Sequence, residues 1–139
     1  MKSNKVILVD MSATLLHHGH IRLIKKAYEM GKVIVALTTD IEIIKHKGYK
    51  PELRYEEREE IINAIRYVDR VIPSPWLIDE KFFNSTGADV LVHGDDNKNM
   101  LPKDKLVVFE RTNGISSTDL RARVIRVLMD KSGIHEELV

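Results

Sequence analysis

Half of the six histidines in this 139-residue chain crowd into one span of four residues. Before them, the apolar run Lys5–Val9 predicts a buried β-strand, and after them apolar residues recur at helical spacing over residues 21–28. The histidines therefore lie at a turn from strand to helix, where unpaired N–H groups and the helix dipole attract anions. His17 and His20 are three apart and share one helical face, and Gly19 permits a close approach. This pattern predicts a phosphate-binding site, although a histidine cluster also fits a polar surface.

Strands and helices alternate along the rest of the chain. Apolar runs predict strands at Lys32–Thr38, Val68–Ile72, Ala88–His93 and Leu106–Phe109, and amphipathic patterns predict helices at Tyr55–Tyr67, Trp76–Asn84 and from Ser116 onward, the last with a stripe of Leu120, Val124, Val127 and Leu128. Residues 41–54 contain Gly48 and Pro51, which predicts a loop with at most a short helix. The alternation implies an α/β fold: a Rossmann-like three-layer sandwich with a five-stranded parallel sheet.

The composition of the chain indicates which kinds of partner to expect. The chain has 22 basic and 21 acidic residues, a formal charge of +1, which provides no broad positive field for nucleic acid. It has no cysteine, and no apolar run approaches the roughly 20 residues of a membrane span. We therefore expect a single cytoplasmic domain over residues 1–139, with small-molecule partners and neither a nucleic acid nor a membrane partner.

Ligands of such sheets bind beyond the carboxyl ends of the strands. Five loops follow the predicted strands, and we expect them to form one pocket; they are residues 10–20, 39–54, 73–76, 93–104 and 110–118. The string from Arg111 to Thr118 in the last loop leads into a helix N-terminus, where amides and hydroxyls suit phosphate oxygens and Arg111 would neutralise them. Helix capping by Ser116 would explain one serine but not the whole string.

Two strings carry a resemblance to a known family. His17-His18-Gly19-His20 and Arg111-Thr112-Asn113-Gly114-Ile115-Ser116-Ser117-Thr118 resemble the H-x-G-H and R-T-x-G-I-S-[ST]-T motifs of the cytidylyltransferases. The resemblance implies transfer of CMP from CTP to a small phosphate or phosphonate acceptor, with release of pyrophosphate. It also implies Mg²⁺ held through the CTP phosphates, with protein ligands unknown, and a homodimer. Adenylyl transfer from ATP and an inactive nucleotide-binding regulatory module stay open as alternatives.

The resemblance also assigns residues. The predicted catalytic residues, which contact the phosphates, are His17, His20, Lys47 and Arg111; His18 fills the variable position and has no predicted role. The predicted nucleotide-binding residues are Met11, Ser12, Ala13, Gly19, Asp95, Thr112, Gly114, Ile115, Ser116, Ser117 and Thr118. Asp95 belongs to a string that resembles the family's G-D-D, although Gly-Asp-Asp is also a common turn.

Five further residues are weaker candidates for substrate binding: Thr14, Asp40, Lys45, Arg58 and Trp76. Asp40 matches a family T-D pair, and Lys45 is the second choice after Lys47, although both lysines equally fit a solvated surface. Arg58 ends a string that resembles Y-E-x-R, and it would either position its helix, face the substrate or form a surface pair. Trp76, taken alone, is more typical of packing than of base stacking.

Thr14 departs from the family pattern, which has aspartate there. Aspartate would orient a ligand or help to hold Mg²⁺, whereas threonine offers only a hydroxyl. The string from Met11 to His20 is similar to M-S-A-D-L-[IL]-H-x-G-H of domains associated with phosphonate biosynthesis, whereas Ile65–Asp69 resembles the branch that activates glycerol-3-phosphate. We therefore expect a phosphonate or an unusual phosphomonoester to be preferred over glycerol-3-phosphate.

Overall fold

A computed structural model describes residues 4–133 and arranges them around one parallel sheet. The strands are β1 Val6–Met11, β2 Lys32–Thr38, β3 Val68–Ser74, β4 Val90–Gly94 and β5 Leu106–Phe109; the helices are α1 His18–Met30, α2 Asp40–Lys47, α3 Tyr55–Asn63, α4 Glu80–Ser85 and α5 Ser117–Ser132. The strand order is β3-β2-β1-β4-β5, and each adjacent pair is parallel. The predicted α/β, Rossmann-like class with a five-stranded parallel sheet is confirmed.

The central strands are buried on both faces because successive side chains point to opposite layers. On one face, Ile7 and Val9 of β1 pack with Ile24 and Ala27 of α1. On the other face, Leu8 packs in a second cluster that includes Phe83 of α4. The two clusters account for the continuous apolar runs of β1 and β2 and produce the three layers.

Two features of the sheet position the site. Gly31 joins α1 to β2 so tightly that a Cβ there would lie 2.3 Å from the carbonyl oxygen of Lys5, and any larger residue would push α1 away from β1. The strand order reverses beside β1, whose neighbours are β2 and β4. Connections therefore leave β1 and β4 in opposite directions, and a crevice opens at their carboxyl ends.

Several predicted boundaries are wrong. The short helix allowed within the predicted loop of residues 41–54 is α2, which begins one residue earlier, at Asp40, because the hydroxyl of Thr39 caps it, and ends at Gly48, where φ is 79°. The helix predicted from Trp76 begins only at Glu80, where Asp79 accepts a hydrogen bond of 2.8 Å from the amide of Phe82. β3 continues to Ser74 because it is an edge strand, where a proline is tolerated.

The last helix, α5, begins as predicted, but its apolar side chains are not buried as those of a core helix would be. The Ser116 hydroxyl caps α5 by accepting a 2.9 Å hydrogen bond from the amide of Asp119. The predicted apolar stripe is not covered within residues 4–133, since Val124, Val127 and Leu128 are 54%, 63% and 59% exposed. No helix in the described range is long and apolar enough to cross a membrane.

Candidate active site

A cavity of about 460 Å³ lies at the carboxyl ends of the strands, a volume typical of small-molecule sites. It collects fifteen of the predicted site residues from separate loops, namely Met11, Ser12, Ala13, Thr14, His17, Gly19, His20, Lys47, Trp76, Arg111, Thr112, Ile115, Ser116, Ser117 and Thr118. Asp95 and Gly114 line an adjoining cavity that shares Arg111. The predicted meeting of loops at one edge of the sheet is therefore observed.

The two motif histidines are held in one tautomer by the backbone. Nδ1 of His17 accepts a 3.0 Å hydrogen bond from the amide of Gly19, and Nδ1 of His20 accepts a 3.1 Å hydrogen bond from the amide of His17. The ring centroids are 3.9 Å apart. Because each Nδ1 is an acceptor, the ring proton of each neutral imidazole lies on Nε2, which is left to donate to a ligand.

Electrostatics keeps both rings neutral at pH 7. Burial, followed by the proximity of His17, lowers the pKa of His20 to about 3. Burial also lowers the pKa of His17, with smaller contributions from His18 and Arg111. The pair therefore presents two neutral N–H donors beside the Arg111 cation, whereas His18 is exposed and lies outside the cavity lining.

The Arg111 to Thr118 string is hydrogen-bonded to the loop after β1. The hydroxyl of Ser117 donates to the carbonyl of Leu15 at 3.2 Å and lies 3.4 Å from its amide nitrogen, so the start of α5 and the start of α1 are joined. Gly19 permits this approach, since a Cβ there would lie 2.8 Å from Cε1 of His17 and 3.4 Å from Cγ2 of Ile115. Two helix N-termini consequently open into the same cavity.

Three of the weaker predicted substrate-binding residues, Asp40, Lys45 and Arg58, do not line the cavity. Arg58 is only 1% exposed and donates to the carbonyls of Ser12 at 2.7 Å and Thr38 at 2.8 Å. It also pairs with Asp40 at 2.6 Å, which makes Asp40 a structural partner. Lys45 is exposed on α2, outside the cavity lining. Of the alternatives for Arg58, the structure favours positioning, because it ties the ends of β1 and β2 to α3.

One end of the cavity has an aromatic wall. The indole of Trp76 stacks on the ring of His46 at 5.1 Å, and Nζ of Lys47 lies 5.7 Å from the centre of the indole. Arg121 of α5 adds a second cation there; its Nη2 donates to the Thr14 hydroxyl at 2.7 Å and to Glu52 at 2.8 Å. Sequence reasoning missed Arg121, because its partners are 107 and 69 residues away.

The cavity also holds a polar cluster that sequence reasoning missed. Asp10 at the end of β1 is 7% exposed, contacts Nδ1 of His93 at the end of β4, and accepts a 3.1 Å hydrogen bond from Nδ2 of Asn99. Nε2 of His93 lies 3.4 Å from Oδ1 of Asp96. A signal was available, since Asp10 and His93 are polar residues at the ends of two apolar strands that meet at the crevice.

Neutral histidine donors, an arginine and two helix N-termini surround a cavity at the point where the strand order reverses, an arrangement suited to binding phosphate oxygens. A family model described as cytidylyltransferase-like matches residues 13–123. The chain belongs to this cytidylyltransferase-like family and is a nucleotidyltransferase.

Relatives agree with this assignment. The glycerol-3-phosphate cytidylyltransferase of Staphylococcus aureus is 43% identical over 77% of this chain and 85% of its own length. The glycerol-3-phosphate cytidylyltransferase of Bacillus subtilis is 39% identical over 86% of this chain and 97% of its own length. A lipopolysaccharide core biosynthesis protein from Thermoplasma volcanium shares the fold, with a TM-score of 0.64 at 18% identity, over 78% of this chain and 98% of that protein.

Proposed function

We propose that this chain transfers CMP from CTP to a small phosphomonoester or phosphonate and releases pyrophosphate. The observation that carries the proposal is the pair of Nε2 donors of His17 and His20, fixed by backbone amides and facing the same cavity as Arg111. An acceptor oxygen forms a bond to the α-phosphorus, and the bond from that phosphorus to the bridging oxygen breaks. The electron pair leaves with pyrophosphate, whose growing charge the donors stabilise.

The acceptor is assigned to the cavity end with the aromatic wall. Lys47 and Arg121 supply positive charge there, and Trp76 and Tyr49 supply a partly apolar wall. Arg111 and the start of α5 are assigned to the triphosphate at the other side of the histidines. This division places the α-phosphorus between the two groups, where His17 and His20 contact it, and in-line positioning supplies much of the rate.

Mg²⁺ is part of the proposal as a partner of the nucleotide. Residues 4–133 contain no group of three or more His, Asp or Glu side chains placed to hold a metal ion. Mg²⁺ usually keeps several waters and binds through one or two carboxylates together with substrate phosphates. The carboxylates in the cavity lining are Asp10, Asp96 and Glu110, and the first two are already paired with His93, so the ion is assigned to the phosphates of CTP. When bound, the ion neutralises charge on the triphosphate.

Pyrophosphate release tests the proposed function. Wild-type protein is assayed with CTP, ATP, GTP and UTP in turn, each with glycerol-3-phosphate, phosphoethanolamine and 2-aminoethylphosphonate. Release that needs both CTP and an acceptor supports the proposal. Release with ATP alone among the nucleotides would support adenylyl transfer, and CTP binding without release from any acceptor would support the regulatory module.

We propose further that phosphonates or unusual phosphomonoesters are used faster than glycerol-3-phosphate. The similarity of the Met11 to His20 string to phosphonate-associated domains supports this preference, and so does Thr14, which places no carboxylate charge beside an anionic acceptor. The ratio of kcat/KM values for 2-aminoethylphosphonate and glycerol-3-phosphate measures it. A clear preference for glycerol-3-phosphate would overturn this part and leave cytidylyl transfer intact.

We also propose a homodimer in the cytoplasm. The exposed aliphatic face of α5, which includes Val124, Ile125, Val127 and Leu128, supports a second copy as its partner, since contiguous apolar surface of this kind marks interfaces. Sedimentation equilibrium would show a dimer for the wild type and a monomer for Val127→Glu. A wild-type monomer at micromolar concentration would contradict the dimer.

A further inference from the structure

The polar cluster that sequence reasoning missed forms a continuous chain across the crevice. It begins at the buried carboxylate of Asp10 on β1, passes through both nitrogens of His93 on β4, and continues to Asp96. Oδ2 of Asp96 then lies 3.5 Å from Nη1 of Arg111, which follows β5. Three neighbouring strands, β1, β4 and β5, are thus linked to the arginine assigned to the triphosphate.

Gly94 makes this approach possible. A Cβ at Gly94 would lie 3.1 Å from Oδ1 of Asp96 and 3.2 Å from Cγ of Arg111, closer than side chains normally pack. The side chain of Arg111 is 54% exposed, so burial alone does not fix its orientation. Asp95 also contacts it, with Oδ1 3.7 Å from Nε. Two carboxylates therefore orient Arg111, and Asp96 is the one that also pairs with His93.

We propose that His93 is a positioning residue for nucleotidyl transfer, which holds Asp96 and through it Arg111 in the orientation that binds the triphosphate of CTP. The inference rests on the proposed function for its substrate. His93 reaches no reacting atom in this role; it acts through Asp96. Its anchor is Asp10, which is fixed in turn by Asn99, whose Oδ1 accepts a 2.6 Å hydrogen bond from the amide of Ile78.

The charge state of the His93 ring follows from its two carboxylate neighbours, Asp10 and Asp96. Both nitrogens face carboxylate oxygens, so both need protons and the ring is an imidazolium. Burial lowers the pKa of His93, but the hydrogen bonds to Asp10 and Asp96 outweigh it and raise the pKa to about 9. The hydrogen bond from His93 lowers the pKa of Asp96 to about 2. Arg111, Lys98 and Glu110 are the other charged groups on this side of the cavity.

Two conservative variants of His93 distinguish the contact of Nδ1 with Asp10 from the contact of Nε2 with Asp96. His93→Asn keeps a donor near the Nδ1 position for Asp10 and loses the reach to Asp96, whereas His93→Gln places its amide near the Nε2 position for Asp96. For His93→Asn we expect kcat/KM for CTP to fall roughly 10–100-fold, with the KM of the acceptor unchanged. His93→Gln should recover part of this loss. Asp96→Asn should cause a similar loss, and the double variant His93→Asn/Asp96→Asn should be no worse than either.

The matched control is Asp104→Asn, an exposed carboxylate on the turn before β5, which should leave kcat/KM unchanged. The pH profile adds a readout that a merely structural role would not move. In the wild type, kcat/KM for CTP should decline as pH rises through about 9, and in His93→Asn this decline should disappear. Wild-type kinetics in His93→Asn, multiplicative losses in the double variant, or a persisting alkaline decline would each overturn the proposal.

If the variants do not fold, a measurement on the wild-type protein still tests the proposal. Nitrogen-15 NMR of the histidine rings at neutral pH should show His93 protonated on both nitrogens. A neutral His93 ring would overturn the inference. Absence of pyrophosphate release by the wild type with every acceptor would refute the proposed function and with it the role toward CTP, whereas a normal wild-type rate with an unaffected His93→Asn variant would refute only the inference.

Discussion

The Thr14 hydroxyl accepts a 2.7 Å hydrogen bond from Nη2 of Arg121, and the two residues are 107 positions apart. The same guanidinium pairs with Glu52 at 2.8 Å and lies 4.8 Å from the centre of the Tyr49 ring. It thereby joins the loop after β1, the α2–α3 connection and α5. The turn before it is strained, since Ala13 adopts φ 47°, and the fold holds Thr14 against Arg121 despite that strain.

Restoring the aspartate of the related motifs at position 14 should weaken acceptor binding. Glu52 already balances Arg121, so the new carboxylate in Thr14→Asp adds uncompensated negative charge beside an anionic substrate. We expect the KM of the acceptor to rise about tenfold, equivalent to ~1.4 kcal/mol, with little change in the KM of CTP. Thr14→Asn, of the same size without the charge, is the control. An acceptor KM equal in the two variants would show that charge at this position is unimportant.

The motif histidines should contribute unequally. His17→Ala or His20→Ala removes one fixed Nε2 donor and should lower kcat by roughly 10²–10³. His18→Ala, an exposed neighbour outside the cavity lining, should change kcat far less. Steady-state rates at saturating CTP and acceptor measure the difference. Near-equal losses of kcat in all three variants would contradict the assignment of His17 and His20 as the phosphate donors.

The His93 cluster should make stability depend on pH in the alkaline range. The pKa of His93 is raised from 6.5 to about 9 on folding, so its contribution is complete below about pH 6.5 and is lost as pH rises through about 9. The contribution is roughly 3 kcal/mol at most. Urea unfolding of wild type and His93→Asn near pH 6 and near pH 10 measures it. The difference in free energy of unfolding should shrink at the higher pH, and a constant difference would contradict the ion pair.

Arg58 should matter for folding more than for catalysis. Arg58→Ala leaves Asp40 unpaired and three carbonyls without their donor, and should cost about 3–5 kcal/mol. Arg54→Ala removes an exposed arginine at the same helix start that pairs with Glu57, and it should cost less than about 1 kcal/mol. Chemical denaturation compares them. Unchanged stability together with a raised acceptor KM in Arg58→Ala would instead put Arg58 in contact with substrate.

The sequence predicted those parts of the fold and site that depend on residues close together along the chain. The apolar runs of β1 and β2 and the His17 to His20 turn are short-range signals, and the structure has them where they were expected. The long-range pairings were not predicted. Asp10 and His93 are 83 residues apart and Thr14 and Arg121 are 107 residues apart, and no local pattern shows which residues meet across such distances. The short helix allowed within residues 41–54 exists as α2, but its bounds were not predicted, because Gly48 and Pro51 drew attention to the loop and the Thr39 cap was overlooked.

Phosphorus-31 NMR of a single reaction tests the central claim most directly. Wild-type protein is incubated with CTP, Mg²⁺ and one acceptor, first 2-aminoethylphosphonate and then glycerol-3-phosphate. If cytidylyl transfer is correct, a coupled pair of resonances from a new phosphorus–oxygen–phosphorus linkage appears together with an equimolar amount of pyrophosphate, and the His20→Ala variant forms both far more slowly. Spectra that show only unreacted CTP and acceptor, or CMP with pyrophosphate and no new linkage, would contradict the account.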